Sequence, residues 1–389
     1  MAILIKNGKL LRMMDSNSDF TGDILIEDNK IIKISQHIEH KAGELLIDAK
    51  ENYVTPGLID PHCHIGMFEE GMGFEGADGN EMTSPVTSNL DAIYGLNPLD
   101  TAFKEAYEAG ITTTVTGPGS GNVIGGTFVA VKTYGGNLDK MIIKNPATMK
   151  SALGENPKMV YSEQKKSPST RMAIAAIFRE TLIETKEYIE KQENSKKKDE
   201  NYENYETNFK LEALKDVVNK NMLIKTHAHR ADDIMTAVRI SKEFNLNMTI
   251  DHCTEGHLIA EYLKENSVKP ILGPLITGKS KIELKNLSMK APAILSKAGV
   301  KFAMMTDHPV IPIQYLPVQA ALAVREGLDK MEALKSITIT AAEFTGIDDK
   351  VGSIEVGKDA DLVIWSDFPL DWRASPKYVI INGKIIYKK

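Results

Sequence analysis

Apolar and polar positions change rhythm twice along this chain. From Ile3 to about Thr55, short apolar runs alternate with turn residues: Ala2 to Ile5 before Asn7-Gly8, Asp23 to Ile26 before Asp28-Asn29, then Ile31 to Ile34. Runs this short, bounded by Asn, Asp and Gly, predict a small antiparallel sheet. The other end has the same grammar, with Asp361 to Trp365, Tyr378 to Ile381, the turn Asn382-Gly383, and Lys384 to Tyr387. Neither stretch is self-sufficient, so the two ends are expected to pair into one satellite sheet.

Between the ends, apolar runs suited to buried strands alternate with helical patterns, which predicts repeated βα units and a parallel sheet. The expected strands are Leu58 to Cys63, Thr112 to Thr116, Phe128 to Thr133, Thr148 to Leu153, Met222 to Thr226, Asn247 to Asp251, Pro270 to Leu272 and Lys301 to Thr306. Helices are expected over Asp100 to Ala109 and over Ala231 to Phe244, where Ala231, Ile234, Ala237, Val238 and Ser241 recur at helical spacing. Eight units in this length suit a closed (β/α)8 TIM barrel better than an open sheet. The expected fold class is therefore α/β, with residues 56–350 as the barrel and residues 1–55 and 351–389 as the two halves of a small β-sandwich satellite.

Three segments depart from the pattern. Glu184 to Glu206 is dominated by Glu, Lys, Asn and Asp and reads as a solvated helix extension or surface insert. Gly66 to Asn97 follows the first barrel strand directly, which makes it a candidate active-site lid. The run Thr116-Gly117-Pro118-Gly119-Ser120-Gly121-Asn122 lacks the Lys-Ser/Thr ending of a phosphate loop, and is read as a turn that lets backbone approach the site.

Composition narrows the classes. With 42% hydrophobic residues in 389, the chain can bury a large core. Lys plus Arg number 47 against 53 Asp plus Glu, so a net charge of -6 offers no broad positive field for nucleic acid. Lys6 interrupts the first apolar run before it reaches signal-peptide length, and no apolar stretch is long enough to span a bilayer, so neither secretion nor membrane insertion is expected. Two cysteines, Cys63 and Cys253, cannot staple a chain of this size and suit a reducing compartment; a cytoplasmic protein is expected, as a monomer or a homo-oligomer.

The nine histidines carry the chemistry through their placement. His37 and His40 fall in a polar stretch and are read as solvated. In Pro56-Gly57-Leu58-Ile59-Asp60-Pro61-His62-Cys63-His64 an apolar strand finishes in two histidines one residue apart. Residues i and i+2 of a strand share a face, so His62 and His64 should point into the barrel and Cys63 into the helix layer. Two adjacent imidazoles at a barrel mouth suit a divalent metal of the zinc type, although two unrelated core histidines would read the same way. The later segments decide between these readings. His227 and His229 follow the strand ending at Thr226, His252 follows the strand ending at Asp251, and Asp307 follows the one ending at Thr306. Four strands thus deliver metal-binding side chains at their C-terminal ends, where barrel enzymes place their chemistry.

These residues resemble the amidohydrolase superfamily of metal-dependent hydrolases. The likeness extends from the N-terminal strands and the Gly57-Leu58-Ile59-Asp60 lead to the tail Gly352-Ser353-Ile354-Glu355-Val356-Gly357-Lys358-Asp359-Ala360-Asp361-Leu362. It implies that His62, His64 and Asp307 hold one ion, zinc being the expected metal, and that His227 and His252 hold a second where one is present. It implies further that a carboxylated lysine on the fourth strand bridges them; Lys150 lies there, with Glu155 as the competing bridge. His229 and His257 are expected to orient substrate, to stabilise an oxyanion or to support a ligand imidazole. Arg230, Lys158 and Tyr161 stand near strand ends and are weaker candidates for holding a substrate carboxylate. His308 should point away and is given no role.

The resemblance implies hydrolysis of a small-molecule substrate by metal-bound hydroxide, with Asp307 shuttling the proton to the departing nitrogen. Within the superfamily the chain most resembles the imidazolonepropionase-related group, which also includes enzymes cleaving dipeptides that end in proline. A cyclic amide, an N-acyl amino acid or a dipeptide-like C–N bond therefore leads the expected substrates. Two alternatives stand beside it. Ring deamination is disfavoured because Ala231-Asp232-Asp233 after His229 departs from the His-X-X-Glu arrangement of the mononuclear deaminases. A non-catalytic scaffold relative would lack the ligand residues, and here every expected position is filled.

Overall fold

The structure, a computed structural model, describes residues 2–14, 19–198 and 206–389. The two chain ends do share a sheet. Its strands are β1 (Ile3–Leu10), β2 (Phe20–Glu27), β3 (Lys30–Ser35), β4 (Leu45–Asp48) and β5 (Tyr53–Pro56) from one end. Past the eight strands of the barrel, the other end supplies β14 (Leu362–Trp365), β15 (Pro376–Ile381) and β16 (Lys384–Lys388). The pairing path is β16-β15-β14-β5-β1-β2-β3 with β4 on β1, and the join is antiparallel, Leu362 facing Pro56 and Ile364 facing Val54. Ile3, Ile5, Ile24, Ile26, Leu362 and Ile364 form one buried cluster, which explains why neither end suffices alone.

The remaining strands form a second, nearly closed eight-stranded sheet: β6 (Leu58–Cys63), β7 (Ile111–Thr116), β8 (Ile124–Lys132), β9 (Ile142–Ala152), β10 (Leu223–Ala228), β11 (Met248–His252), β12 (Lys269–Leu272) and β13 (Ala303–Met304). One expectation fails here. The barrel is not uniformly parallel, because β8 runs antiparallel to both β7 and β9. The cause is the link: residues 117–123 are all that separate β7 from β8, whereas a parallel crossover takes about a dozen residues or more. The strand expected at Lys301 to Thr306 shrinks to Ala303–Met304, and the backbone beyond it closes the seam by hydrogen bonds, Asp307 N to His62 O at 3.2 Å and His64 N to His308 O at 2.9 Å.

Helices cover the outside. Thr101–Glu108 starts from an N-cap in which the Asp100 carboxylate accepts from Ala102 N, and Ala231–Phe244 ends on Asn245 in the left-handed conformation. The charged segment Glu184 to Glu206 begins as the end of the 28-residue helix Arg171–Lys198, and residues 199–205 lie outside those described. The tail motif has a structural role. Lys132 at the end of β8 pairs with Asp359 at 2.9 Å and with Asp361, and Lys30 reaches Asp359 at 2.8 Å. Through Lys132 the barrel is thereby linked to the satellite sheet by buried charge pairs. Among the described residues no helix is long and apolar enough to cross a membrane.

Candidate metal centre

β6 places its alternate residues as the strand period requires. Cys63 turns outward, its Sγ 2.8 Å from Thr114 Oγ1 and packed in the cluster that holds Ile65, Ala102 and Phe103. His62 and His64 turn inward with ring centroids 5.2 Å apart. Asp307 joins them from beyond β13: its Oδ1 lies 3.4 Å from His62 Nε2 and 3.2 Å from His64 Nε2. Asp60 holds the two parts together. Its carboxylate accepts from His62 N at 3.2 Å and from Thr306 N at 3.2 Å, and burial pushes its carboxyl up to about 7.

Beside this group, β10 and β11 bring His227, His229 and His252 together with ring centroids 4.3 to 4.6 Å apart. Both groups, three buried or nearly buried side chains each, present ligand atoms mutually close enough to hold a metal ion. His252 (φ 71°) and Asp307 (φ 56°) sit in the left-handed region that side chains rarely adopt. Such backbone persists where surrounding contacts hold it, commonly at functional sites.

The ring nitrogens are sorted by their partners. His64 Nδ1 donates to Gly117 O at 2.8 Å and His252 Nδ1 to Gly273 O at 2.9 Å, which leaves each Nε2 with its lone pair facing the site. His227 Nδ1 lies 2.9 Å from Ser120 Oγ and His229 Nδ1 2.7 Å from Thr254 Oγ1. The glycine-rich turn after β7 thus touches the site through the Gly117 carbonyl and the Ser120 hydroxyl. Burial lowers His62, His227, His229 and His252, His229 to about 3, so these imidazoles are neutral at pH 7, the form that ligates metals. Burial opposes ionisation of Asp307, but His252, His62 and His64 outweigh it and hold the carboxyl well below the usual carboxylate range.

Beneath the histidines lies a buried charge cluster that sequence reasoning missed. Asp251 accepts from Lys225 Nζ at 3.1 Å, and its other oxygen is 3.0 Å from His62 Nδ1 and 3.7 Å from Lys150 Nζ. All four side chains are fully buried, and the Phe128 ring lies under them, 5.2 Å from His62 and within 6 Å of both ammonium groups. Both Asp251 and Lys225 were legible as charged residues inside otherwise apolar strands. Lys150 Nζ and both His62 ring nitrogens lack an aligned hydrogen-bond partner among the described residues. Such orphaned groups are costly without a further partner, and for His62 Nε2 a divalent cation would supply one.

The separations fit that reading. A tetrahedral ion with ligand distances near 2.0–2.1 Å sets its ligand atoms about 3.3–3.4 Å apart, against the 3.4 and 3.2 Å seen here from Asp307 to the two Nε2 atoms.

A cavity of about 320 Å³ opens over both groups, lined by His64, His227, His229, His252 and Asp307 and walled by Phe68 and Asn80 of the Gly66 to Asn97 segment. Among the described residues Lys281 is its one lining cation. Larger clefts of about 970 and 680 Å³ lie elsewhere, and no described histidine stands in their walls.

Several expected residues lie away from this centre. His257 donates from Nδ1 to Thr254 O at 3.0 Å and is not among the cavity walls. Arg230 is engaged with Asp232 at 2.9 Å on the surface, and Lys158 lies beside it in a separate cleft. Tyr161 is buried and donates to Asn122 at 2.5 Å, its hydroxyl pushed up to about 12 by burial. Glu155 belongs to neither ligand group: its Oε2 accepts from Glu283 N at 3.3 Å, while Glu155 N donates to Glu283 Oε2 at 3.2 Å. It braces the loop after β12. That loop carries a third missed residue, Glu283, whose side chain is 1% exposed and reaches the His227 and His229 rings. His308 turns away, its Nδ1 accepting from Ile313 N at 3.2 Å.

Comparison with known proteins agrees with this architecture. The chain is 27% identical over 390 residues to amidohydrolase tasK of Hapsidospora irregularis, covering 93% of this chain and 39% of that protein. It is 26% identical over 394 residues to the imidazolonepropionase of Thermoplasma volcanium, covering 94% and 90%. It spans only 54% of the adenine deaminase 1 of Latilactobacillus sakei, at 24% identity. Among solved structures, that of an amidohydrolase from Thermotoga maritima superposes over 100% of both chains with a TM-score of 0.95 and 41% identity. The amidohydrolase family model matches residues 53–386, strands β6 to β13 and the histidine-bearing ends included, and the chain belongs to the amidohydrolase family.

Proposed function

We propose that this chain is a cytoplasmic, metal-dependent hydrolase of small substrates, cleaving a C–N bond other than a peptide bond in a cyclic amide, an N-acyl amino acid or a dipeptide-like molecule. The observation that carries the reading is the convergence of His62, His64 and Asp307 beneath a cavity that His64 and Asp307 line, with three more imidazoles beside it. A zinc-type ion held there would acidify water and polarise a carbonyl. The rest falls to the chain. Asp307, ionised and facing the cavity, is placed to take a proton from the attacking water and return it to the departing nitrogen, which leaves poorly without one. Asp251, 3.0 Å from His62 Nδ1, orients that ring so that Nε2 faces Asp307.

Lys150 is the side chain we assign to carboxylation. Burial lowers its ammonium to about 8, and the neutral amine is the form that combines with carbon dioxide. A carbamate there would bring anionic oxygens to the group around His62, where an ammonium is repelled by a cation.

Asp307→Asn should retain metal, measured by elemental analysis, and lose about 10²–10⁴ in kcat/KM. Near-normal turnover in that variant would sink the proton-shuttle role. Assays following ammonia release against ring opening or amino-acid release separate hydrolysis from ring deamination. A protein that takes up no transition metal on titration would instead be a scaffold.

A further inference from the structure

The cavity over the histidines carries its charge unevenly. Its wall holds the Asp307 carboxylate and, among the described residues, one cationic side chain, Lys281. Asn80, Thr277 and Ser280 add neutral polar groups, and Phe68 and Val310 an apolar face. Lys281 precedes the turn Ile282–Leu284 in the loop after β12, and its side chain is 38% exposed, so a ligand entering from solvent can reach it. The proposed reaction gives this ammonium no task.

Its place is set by Asn156, which stands in the first turn of the helix Glu155–Glu163 after β9. Asn156 Oδ1 accepts from Lys281 Nζ at 2.6 Å, and its Nδ2 lies 3.4 Å from His227 Nε2. One amide group thus spans the gap between the ammonium and the imidazoles. Glu283 Oε1 is 3.9 Å from Nζ, beyond hydrogen-bond reach. Of the three donors on the ammonium, Asn156 therefore takes one, and the others have no partner among the described residues. Lys158 and Arg230, the cations expected to hold a carboxylate, line a different cleft.

We infer that Lys281 determines specificity in this cavity by binding the α-carboxylate of the substrate. The inference rests on the proposed hydrolysis and narrows its substrates to N-acyl amino acids and dipeptide-like molecules with a free carboxylate. The distances suit them. In such a molecule the carboxyl carbon stands about 3–4 Å from the acyl carbonyl carbon, the span of an amide and one further carbon. A carbonyl held at the histidines therefore brings its carboxylate to Lys281, where two charge-assisted hydrogen bonds are open to it. A neutral cyclic amide would cover the same donors without accepting from them as an anion does, which costs binding energy. The cavity of about 320 Å³ is at the small end for ligand sites and suits a molecule of this size.

The test uses the full chain loaded with zinc and a panel of N-acetyl amino acids beside the matching N-acetyl amino acid amides, which lack the carboxylate charge. Acetate release gives KM and kcat, and calorimetry gives Kd whether or not the ligand turns over. The wild type should favour acids over amides by about 10–100-fold in KM or Kd. Lys281→Met, checked for zinc content and for folding by circular dichroism, should lose that preference, with the change falling on KM more than on kcat. Lys158→Met, in the neighbouring cleft, should keep it. Failure of the wild type to bind any acid of the panel would overturn the inference, as would equal binding of acids and amides. So would a preference that survives in Lys281→Met or disappears in Lys158→Met. Cleavage of a neutral cyclic amide such as dihydrouracil in preference to the acids would also overturn it while leaving the hydrolase reading standing. Acids bound through Lys281 but never cleaved would defeat the hydrolase reading and keep the carboxylate site.

Discussion

Replacing Lys225 by Met removes one charge from the buried cluster beneath the histidines while keeping nearly the same volume. In the native structure Lys225 Nζ donates to Asp251 Oδ1 at 3.1 Å and to Pro61 O at 3.1 Å, which ties β10 to β11 and across to β6. Both charged side chains are 0% exposed. Burial opposes ionisation of Asp251, yet Lys225, His62 and Lys150 hold its carboxyl well below the ordinary range. Losing one partner of such a pair costs about 3–5 kcal/mol, because the remaining charge stays buried and uncompensated. With an unfolding entropy of about 2.1 cal/mol/K per residue, the 389 residues give about 0.8 kcal/mol/K, so the melting temperature should fall by roughly 4–6 °C. Calorimetry on Lys225→Met, Asp251→Asn and the double variant measures the effect and its coupling. Removing both charges should cost less than the sum of the single changes. A Lys225→Met protein that melts within about 1 °C of wild type, with additive effects in the double variant, would refute the assignment of this pair as a structural requirement of the site.

Two further outcomes follow from the same geometry. At Gly273 the backbone has φ +142°, and an added Cβ would come within 2.3 Å of Met305 O, so Gly273→Ala must shift the carbonyl that accepts from His252 Nδ1. Metal affinity should fall about 10–100-fold with the fold intact; unchanged affinity by competition with a chelator would show that His252 is oriented otherwise. Burial raises the Cys253 thiol to about 12 and raises Cys63 as well, whereas an unfolded thiol titrates near 8.5. Both groups keep their protons in the folded state, so their stabilising effect is complete below about pH 8.5. It is lost as pH rises toward 12, at about 1.4 kcal/mol per thiol per pH unit. Denaturant titrations at pH 8 and 10 should show the loss, and rapid alkylation of either thiol in the native protein at pH 8 would contradict it.

Most of the candidate metal centre was legible along the chain because strand geometry is local. The i, i+2 spacing of His62 and His64, and the position of His227, His252 and Asp307 just past apolar runs, needed only the strand period and the rule that barrel chemistry collects at C-terminal ends. The direction of β8 was not read: the strand was expected to begin at Phe128 rather than Ile124, which hid how short the link from β7 is, and the count of strands suggested uniform βα units. His257, Arg230 and Lys158 illustrate the opposite case. They lie near the right strand ends in sequence, but loop conformation turns them to other partners.

Local sequence thus determined which residues could become strands, which faces those strands would present, and which side chains would reach the barrel mouth. The period of a strand and the chemistry of imidazole and carboxylate are properties of short segments. Only the tertiary structure decided that Glu283 from the loop after β12 would meet His227 and His229, and that Asp251 and Lys225 would pair beneath His62. Those contacts depend on how distant segments pack and on which charges are removed from water together. Nothing in a polar loop's own residues states whether a carboxylate will end in solvent or in a dry interior.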